Sequence, residues 1–110
     1  MTNTLPMRSL GGLDVPAIGF GAMVLSPGVY GEIDDERAIT AVRAAIAAGG
    51  TFIDTSDAYG DGGHNEQVVG RAIRGRREEI TVATKFGLRP PGRVRRSGHV
   101  DSPTAHNLIR

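Results

Sequence analysis

Residues 51–60, Thr51-Phe-Ile-Asp-Thr-Ser-Asp-Ala-Tyr-Gly60, constrain this chain more than any other stretch. They open as a short apolar run containing a β-branched residue, the pattern of a buried strand. The run ends in an acid, Asp54, and then turns through small and polar residues to Tyr59 and Gly60. About one helix further on, a second such run over residues 80–87 carries Lys85 near its end. Strands alternating with helical segments argue for a parallel α/β architecture.

Side chains alternate faces along a strand. Phe52 and Asp54 therefore share one face, and Ile53 takes the other. In the second run Thr81, Ala83 and Lys85 share a face, opposite Val82, Thr84 and Phe86. If the small-residue face is the inner one, Asp54 and Lys85 point into the same space, where α/β proteins bind ligands. A phenol, an ammonium and a carboxylate placed there suit proton donation. A free tyrosine, with a pKa of about 10, donates poorly near neutrality. An adjacent ammonium stabilises the phenolate and eases donation, while a carboxylate keeps that ammonium charged and oriented. The competing reading is an Asp54–Lys85 ion pair that staples two strands, with Tyr59 as a loop anchor.

Composition narrows the class. A formal net charge of +1 gives no global field for nucleic acid. The absence of Cys excludes disulfides, thiolate catalysis and Cys-based zinc sites, and fits a cytoplasmic protein. No basic-then-apolar leader opens the chain, and no apolar stretch nears the ~20 residues that span a bilayer. Sixteen Gly residues are dispersed among periodic segments, which suits short elements joined by tight loops.

In chain order, residues 7–10 and 15–21 flank a hairpin turn at Gly11-Gly-Leu-Asp14. Residues 17–21 read as the first strand of a parallel sheet, with Ala17, Gly19 and Gly21 on a face that something approaches closely. A dinucleotide fingerprint at Gly19-Phe-Gly21 fails because Val24 stands where its third Gly belongs, and the next helix starts too late. Asp34 or Asp35 caps a helix to about residue 48, with a stripe of Ala38, Ile39, Val42, Ala45 and Ile46. Asn65 is expected to cap a second helix running through Arg74, with Val68, Val69, Ala72 and Ile73 buried. His64 is expected to be a loop residue, and no second metal ligand stands at suitable spacing from it. Arg71, Arg74, Arg76 and Arg77 read as a solvated helix end. A long basic loop covers residues 88–101, and Ser102-Pro103 is expected to start a third helix.

Phe52-Ile-Asp-Thr-Ser-Asp-Ala-Tyr-Gly60, Asn65-Glu66, Gly70 and Ala83-Thr-Lys-Phe86 together resemble the aldo/keto reductases. The opening Leu10-Gly-Gly-Leu-Asp-Val-Pro-Ala-Ile-Gly-Phe-Gly-Ala-Met23 resembles that family too, and the wording is closest to its bacterial and plant branch. The resemblance covers residues 8–110. It implies a (β/α)₈ TIM barrel, of which residues 1–110 are the N-terminal part: a hairpin that closes the bottom, then about three βα units, ending before the fourth strand. It implies an NADP-dependent oxidoreductase that reduces aldehydes or ketones to alcohols by hydride transfer. Carried over residue by residue, Tyr59 is the proton donor, Lys85 eases its ionisation, and Asp54 pairs with Lys85 near the cofactor. Gly21, Ala22 and Met23 lie beside the nicotinamide. The fourth catalytic member, a His, and most of the adenosine-phosphate grip fall beyond Arg110, so the chain alone is expected to be inactive. The partner is a small-molecule carbonyl compound, with no nucleic acid, membrane or metal. Two other readings stay open: a non-catalytic cofactor-binding interaction protein, and the product of a truncated gene.

Overall fold

The computed structural model describes residues 5–28 and 30–87, together with the backbone of residues 106–109. The chain opens with a hairpin of two antiparallel strands, β1 (Met7–Leu10) and β2 (Leu13–Pro16), with Leu10 opposite Leu13. The turn is only Gly11-Gly12, at φ of +56° and +87°. Two consecutive left-handed residues give the turn whose twist matches the flanking strands, and glycine adopts them without strain.

The first strand of the main sheet, β3 (Phe20–Gly21), is shorter than the sequence suggests. Ala17 belongs to the hairpin instead, since its amide donates to the Pro6 carbonyl at 2.7 Å. The close approach expected on the glycine face is present at Gly19, where a Cβ would stand 3.1 Å from the Phe52 carbonyl oxygen. A short 3₁₀ turn over Met23–Leu25 follows.

Helix α1 (Asp35–Ala47) begins where the acidic cluster predicts. Asp34 is its cap, its carboxylate accepting from the Arg37 amide at 2.8 Å. Its buried stripe is Ala38, Ile39, Val42 and Ile46. Strand β4 (Phe52–Asp54) then lies parallel between β3 and β5 (Thr81–Lys85), with Gly21 beside Asp54 and Asp54 beside Ala83. This register fixes the two faces. Ile53 is fully buried against the helices, with Phe20 and Val82 on the same side. Phe52, Asp54, Thr81, Ala83 and Lys85 occupy the other side, as the parity argument requires.

Helix α2 (His64–Ala72) differs from expectation at both ends. Gly63 precedes it as cap, and Asn65 lies inside the first turn. Asn65 does not cap because its side chain turns inward. It accepts from the Thr55 hydroxyl at 2.6 Å and donates to the Ala22 carbonyl at 2.7 Å and to Ser26 Oγ at 2.9 Å. A buried amide with inward partners satisfies itself better there than at a helix terminus. Val68, Val69, Ala72 and Ile73 are buried as predicted, joining the α1 stripe, Ile53 and Ile80 in one core. Arg71 is no free helix-end cation, since it reaches Asp35 and Glu36 at 3.4 Å each. Arg77 donates to the Ile80 carbonyl at 2.7 Å.

The expected third helix is replaced, at residues 106–109, by strand β6 (His106–Ile109). It runs antiparallel to β5, with Lys85 opposite His106 and Val82 opposite Ile109. The reason is the edge of β5, whose unpaired amides and carbonyls favour strand addition over a short helical turn without a surface to pack on. The basic loop and the Ser102-Pro103 cap lie outside the described residues. The main sheet has the order β3-β4-β5-β6 and does not close among the described residues.

Asn65 generates a test of this architecture. Asn65→Ala leaves the buried Thr55 hydroxyl without its partner and removes one hydrogen bond each from the Ala22 carbonyl and Ser26, and should lower the unfolding free energy by about 2–4 kcal/mol. Gln67→Ala, which removes an exposed bond to the Gly62 carbonyl, should stay within about 0.5 kcal/mol. Denaturant midpoints of the two variants measure the contrast, and equal midpoints would refute the role given to the buried amide.

Candidate active site

The acid, the phenol and the ammonium meet at the carboxyl ends of β4 and β5. Lys85 Nζ donates to both oxygens of Asp54, at 3.1 and 3.0 Å, and to the Thr55 carbonyl at 2.9 Å. It also stands 4.7 Å from the centre of the Tyr59 ring. The Lys85 side chain is only 12% exposed against 47% for Asp54, so the pair is open to solvent from the carboxylate side.

Local backbone bonding sets this geometry. Past Asp54 the chain continues alongside β5, with the Thr55 amide donating to the Ala83 carbonyl at 2.8 Å. The Ser56 hydroxyl then accepts from the Ala58 amide at 3.1 Å, and the Tyr59 amide turns back to the Ser56 carbonyl at 3.4 Å. That turn is what returns Tyr59 over Lys85. Asn65 closes it from behind, its amide donating to the Tyr59 carbonyl at 3.2 Å.

Burial alone pulls the Lys85 pKa down. Hydrogen bonding and charge from Tyr59 and Asp54 pull the other way and win, so the ammonium holds its proton above the ordinary lysine value of 10.5. Tyr59 contributes without a hydrogen bond of normal distance and angle to Nζ. Its geometric contact is through the ring face, a cation–π arrangement.

Of the residues assigned to the cofactor side, Gly21 is exposed and in register with Asp54, and a Cβ there would meet nothing within 4 Å. A flat ring therefore has room beside the carboxylate. Met23 is half-buried at the same end of the sheet. Ala22 is wholly buried, its amide donating to the Asp54 carbonyl at 2.9 Å and its carbonyl held by Asn65. Gly21 and Met23 are thus the open members of the three. Among the described residues, no group of three or more His, Asp or Glu side chains converges as metal ligands, and no helix is long and apolar enough to cross a membrane.

Sequence reasoning missed a second cluster behind this site. His64 Nε2 lies 2.7 Å from Asp35, its Nδ1 lies 2.9 Å from Ser26 Oγ, and Ser26 reaches the Tyr59 carbonyl at 3.4 Å. Nothing local signals it, since the partners stand 29 and 38 positions apart.

A family model described as the aldo/keto reductase family matches residues 17–107. The chain is 45% identical over 86 residues to the Schizosaccharomyces pombe aldo-keto reductase yakc, whose name specifies NADP(+), covering 76% of this chain and 25% of that protein. It is 42% identical over 83 residues to pyridoxine 4-dehydrogenase of Escherichia coli, covering 74% of this chain and 29% of that one. Its fold superposes on the holo form of aldo-keto reductase AKR11C1 from Bacillus halodurans with a TM-score of 0.68 at 37% identity. That match covers 81% of this chain and 28% of the other. The chain spans about a quarter of the length of these relatives.

The Lys85 shift has a stability consequence of definite sign. A proton held more tightly in the folded state stabilises fully below the unfolded pKa, and the contribution is lost as pH rises through the folded one. Stability should therefore fall above about pH 10 as this pair discharges. In Lys85→Met that alkaline loss should shrink. Denaturant titrations from neutral pH to pH 11 measure it, and identical alkaline slopes in both proteins would uncouple the pair from folding.

Proposed function

The chain belongs to the aldo/keto reductase family, and from that premise we propose that its residues form the proton-donating part of an NADPH-dependent carbonyl reductase acting on aldehydes or ketones. The observation that carries this reading is the convergence of Lys85 on Asp54, at 3.0–3.1 Å, and on the Tyr59 ring, at 4.7 Å. The name of the Schizosaccharomyces pombe relative supplies NADP(+), and the open space at Gly21 beside Asp54 fits a nicotinamide ring.

When bound, the cofactor supplies a hydride to the carbonyl carbon. Tyr59 gives its phenolic proton to the carbonyl oxygen, which completes the alcohol. The ammonium of Lys85 stabilises the phenolate left behind. Asp54 holds that ammonium charged and aimed, and Thr55 contributes its carbonyl to the same end. Gly21 and Met23 would border the nicotinamide, with Asp54 between them and the acid. The bidentate Asp54–Lys85 contact equally suits a staple between two strands, and the Tyr59 variant below separates the two readings.

Fusion with the remaining βα units of the Bacillus halodurans relative provides the complete barrel for the test. In that chimaera Tyr59→Phe should lower kcat by about 10²–10⁴-fold, the range of general acid catalysis, while cofactor affinity stays near the parent's. A near-normal kcat in the variant would leave Asp54 and Lys85 as a staple and Tyr59 as an anchor.

The 110 residues by themselves should bind NADPH weakly and reduce no carbonyl. Among the described residues the sheet is open, and no strand stands opposite the inner face carrying Asp54 and Lys85. Parallel sheets ordinarily need cover on both faces. Titration of the purified chain against cofactor fluorescence checks this, and saturable low-micromolar binding by a monomer would contradict it.

A further inference from the structure

Ser26, His64 and Asp35 have the composition of a nucleophile relay, but the geometry denies that use. Ser26 is fully buried, and its oxygen already accepts from Asn65, so no substrate can reach it. The ring is also reversed relative to the usual relay, with Nδ1 on the serine and Nε2 on the acid. What the cluster does touch is the backbone of Tyr59.

We propose that Ser26, His64 and Asp35 form a proton-linked latch on the Tyr59 carbonyl, and that His64 is thereby a positioning residue for the phenol. As a statement about catalysis it rests on the reductase reading; as a statement about hydrogen bonding it does not. Two bonding schemes fit the same heavy-atom positions. With His64 neutral and protonated on Nε2, that N–H donates to Asp35, and the bare Nδ1 accepts the Ser26 hydroxyl proton. With His64 cationic, Nε2–H still donates to Asp35, but Nδ1–H now donates to Ser26 Oγ. The serine hydroxyl must then turn away, and the acceptor in reach is the Tyr59 carbonyl at 3.4 Å. Protonation of one ring nitrogen therefore adds a second hydrogen bond to a carbonyl that, among the described residues, is otherwise held by the Asn65 backbone amide.

The surroundings support a switch between these states. The His64 side chain is 23% exposed, enough to exchange a proton with solvent. Asp35 of α1 is the charged group bonded to the ring, and Arg71 of α2 sits behind it, at 3.4 Å from the other Asp35 oxygen and 3.4 Å from Glu36. Asp61, in the turn before α2, is exposed and makes no bond to the ring among the described residues. The serine and the carbonyl add no charge. Gly60 leaves the room that the latch occupies: at φ +77°, a Cβ there would lie 2.9 Å from Ser26 Cβ, 3.0 Å from its Oγ and 3.2 Å from His64 Cβ. The residue directly after Tyr59 is thus packed against both members of the latch.

The test reads the carbonyl itself. The 110-residue chain is labelled with ¹³C at tyrosine carbonyls and ¹⁵N in histidine rings, and is followed by NMR as the pH is lowered until the His64 ring nitrogens report protonation. His64 should show a bare Nδ1 at high pH, and the Tyr59 carbonyl resonance should move in step with His64 protonation. Tyr30 is the internal control and should not follow. In Ser26→Ala the coupling should vanish while His64 still titrates. A Tyr59 carbonyl that ignores His64, or that follows it equally in Ser26→Ala, overturns the latch. In the chimaera, His64→Gln should lower kcat by up to about 100-fold with little change in KM for NADPH, the mark of a misplaced acid. A KM effect without a kcat effect would overturn the positioning role. An active Tyr59→Phe enzyme would overturn the acid role of Tyr59, and with it the positioning role of His64, but not the latch, since the carbonyl measurement needs no turnover.

Discussion

One buried amide holds this arrangement together. Asn65 has no exposed surface, yet its side chain carries three hydrogen bonds to three separate segments: Thr55 after β4, Ala22 after β3, and Ser26 beyond the 3₁₀ turn. Its backbone amide takes the Tyr59 carbonyl as a fourth partner. A polar group in such a place destabilises unless every bond is made, so it admits one relative placement of the loops and excludes slipped alternatives. Among the described residues no buried side-chain nitrogen or oxygen lacks a partner. The loops at the carboxyl ends of the strands are therefore held by directional bonds, where apolar packing alone would leave them free to slide.

The apolar core and the polar ties divide the work. Ile53, Ile80, Val42 and Val68 are buried on the helix side of the sheet and set how far α1 and α2 stand from it. The strand register then carries that placement across to the other face. Because Ile53 must point to the helices, Asp54 must point away from them, and the same holds for Val82 and Ala83 in β5. The meeting of Asp54 with Lys85 is thus a consequence of burying their neighbours.

The open sheet explains where the fold departs from a repeating pattern. A parallel strand at an edge exposes half of its backbone groups, and β5 meets this with an antiparallel segment instead of the next parallel strand. The superposition on the Bacillus halodurans relative covers 81% of this chain and 28% of that protein.

The sequence by itself determined whatever depends on local periodicity. The Gly-Gly hairpin, α1 with its Asp34 cap, the buried stripe of α2 and the facing of Asp54 with Lys85 are all written in spacing, because helix and strand periods convert directly into sides of an element. Tertiary structure alone decided the rest. Asn65 looks like a cap in sequence and becomes the central tie because its side-chain partners come from three separate segments. His64 looks like a loop residue and becomes a bridge because α1 brings Asp35 to it. The segment 106–109 became a strand because an edge was free to pair. Each of these turns on which donors and acceptors come within about 3 Å of one another after folding, and that proximity has no period along the chain.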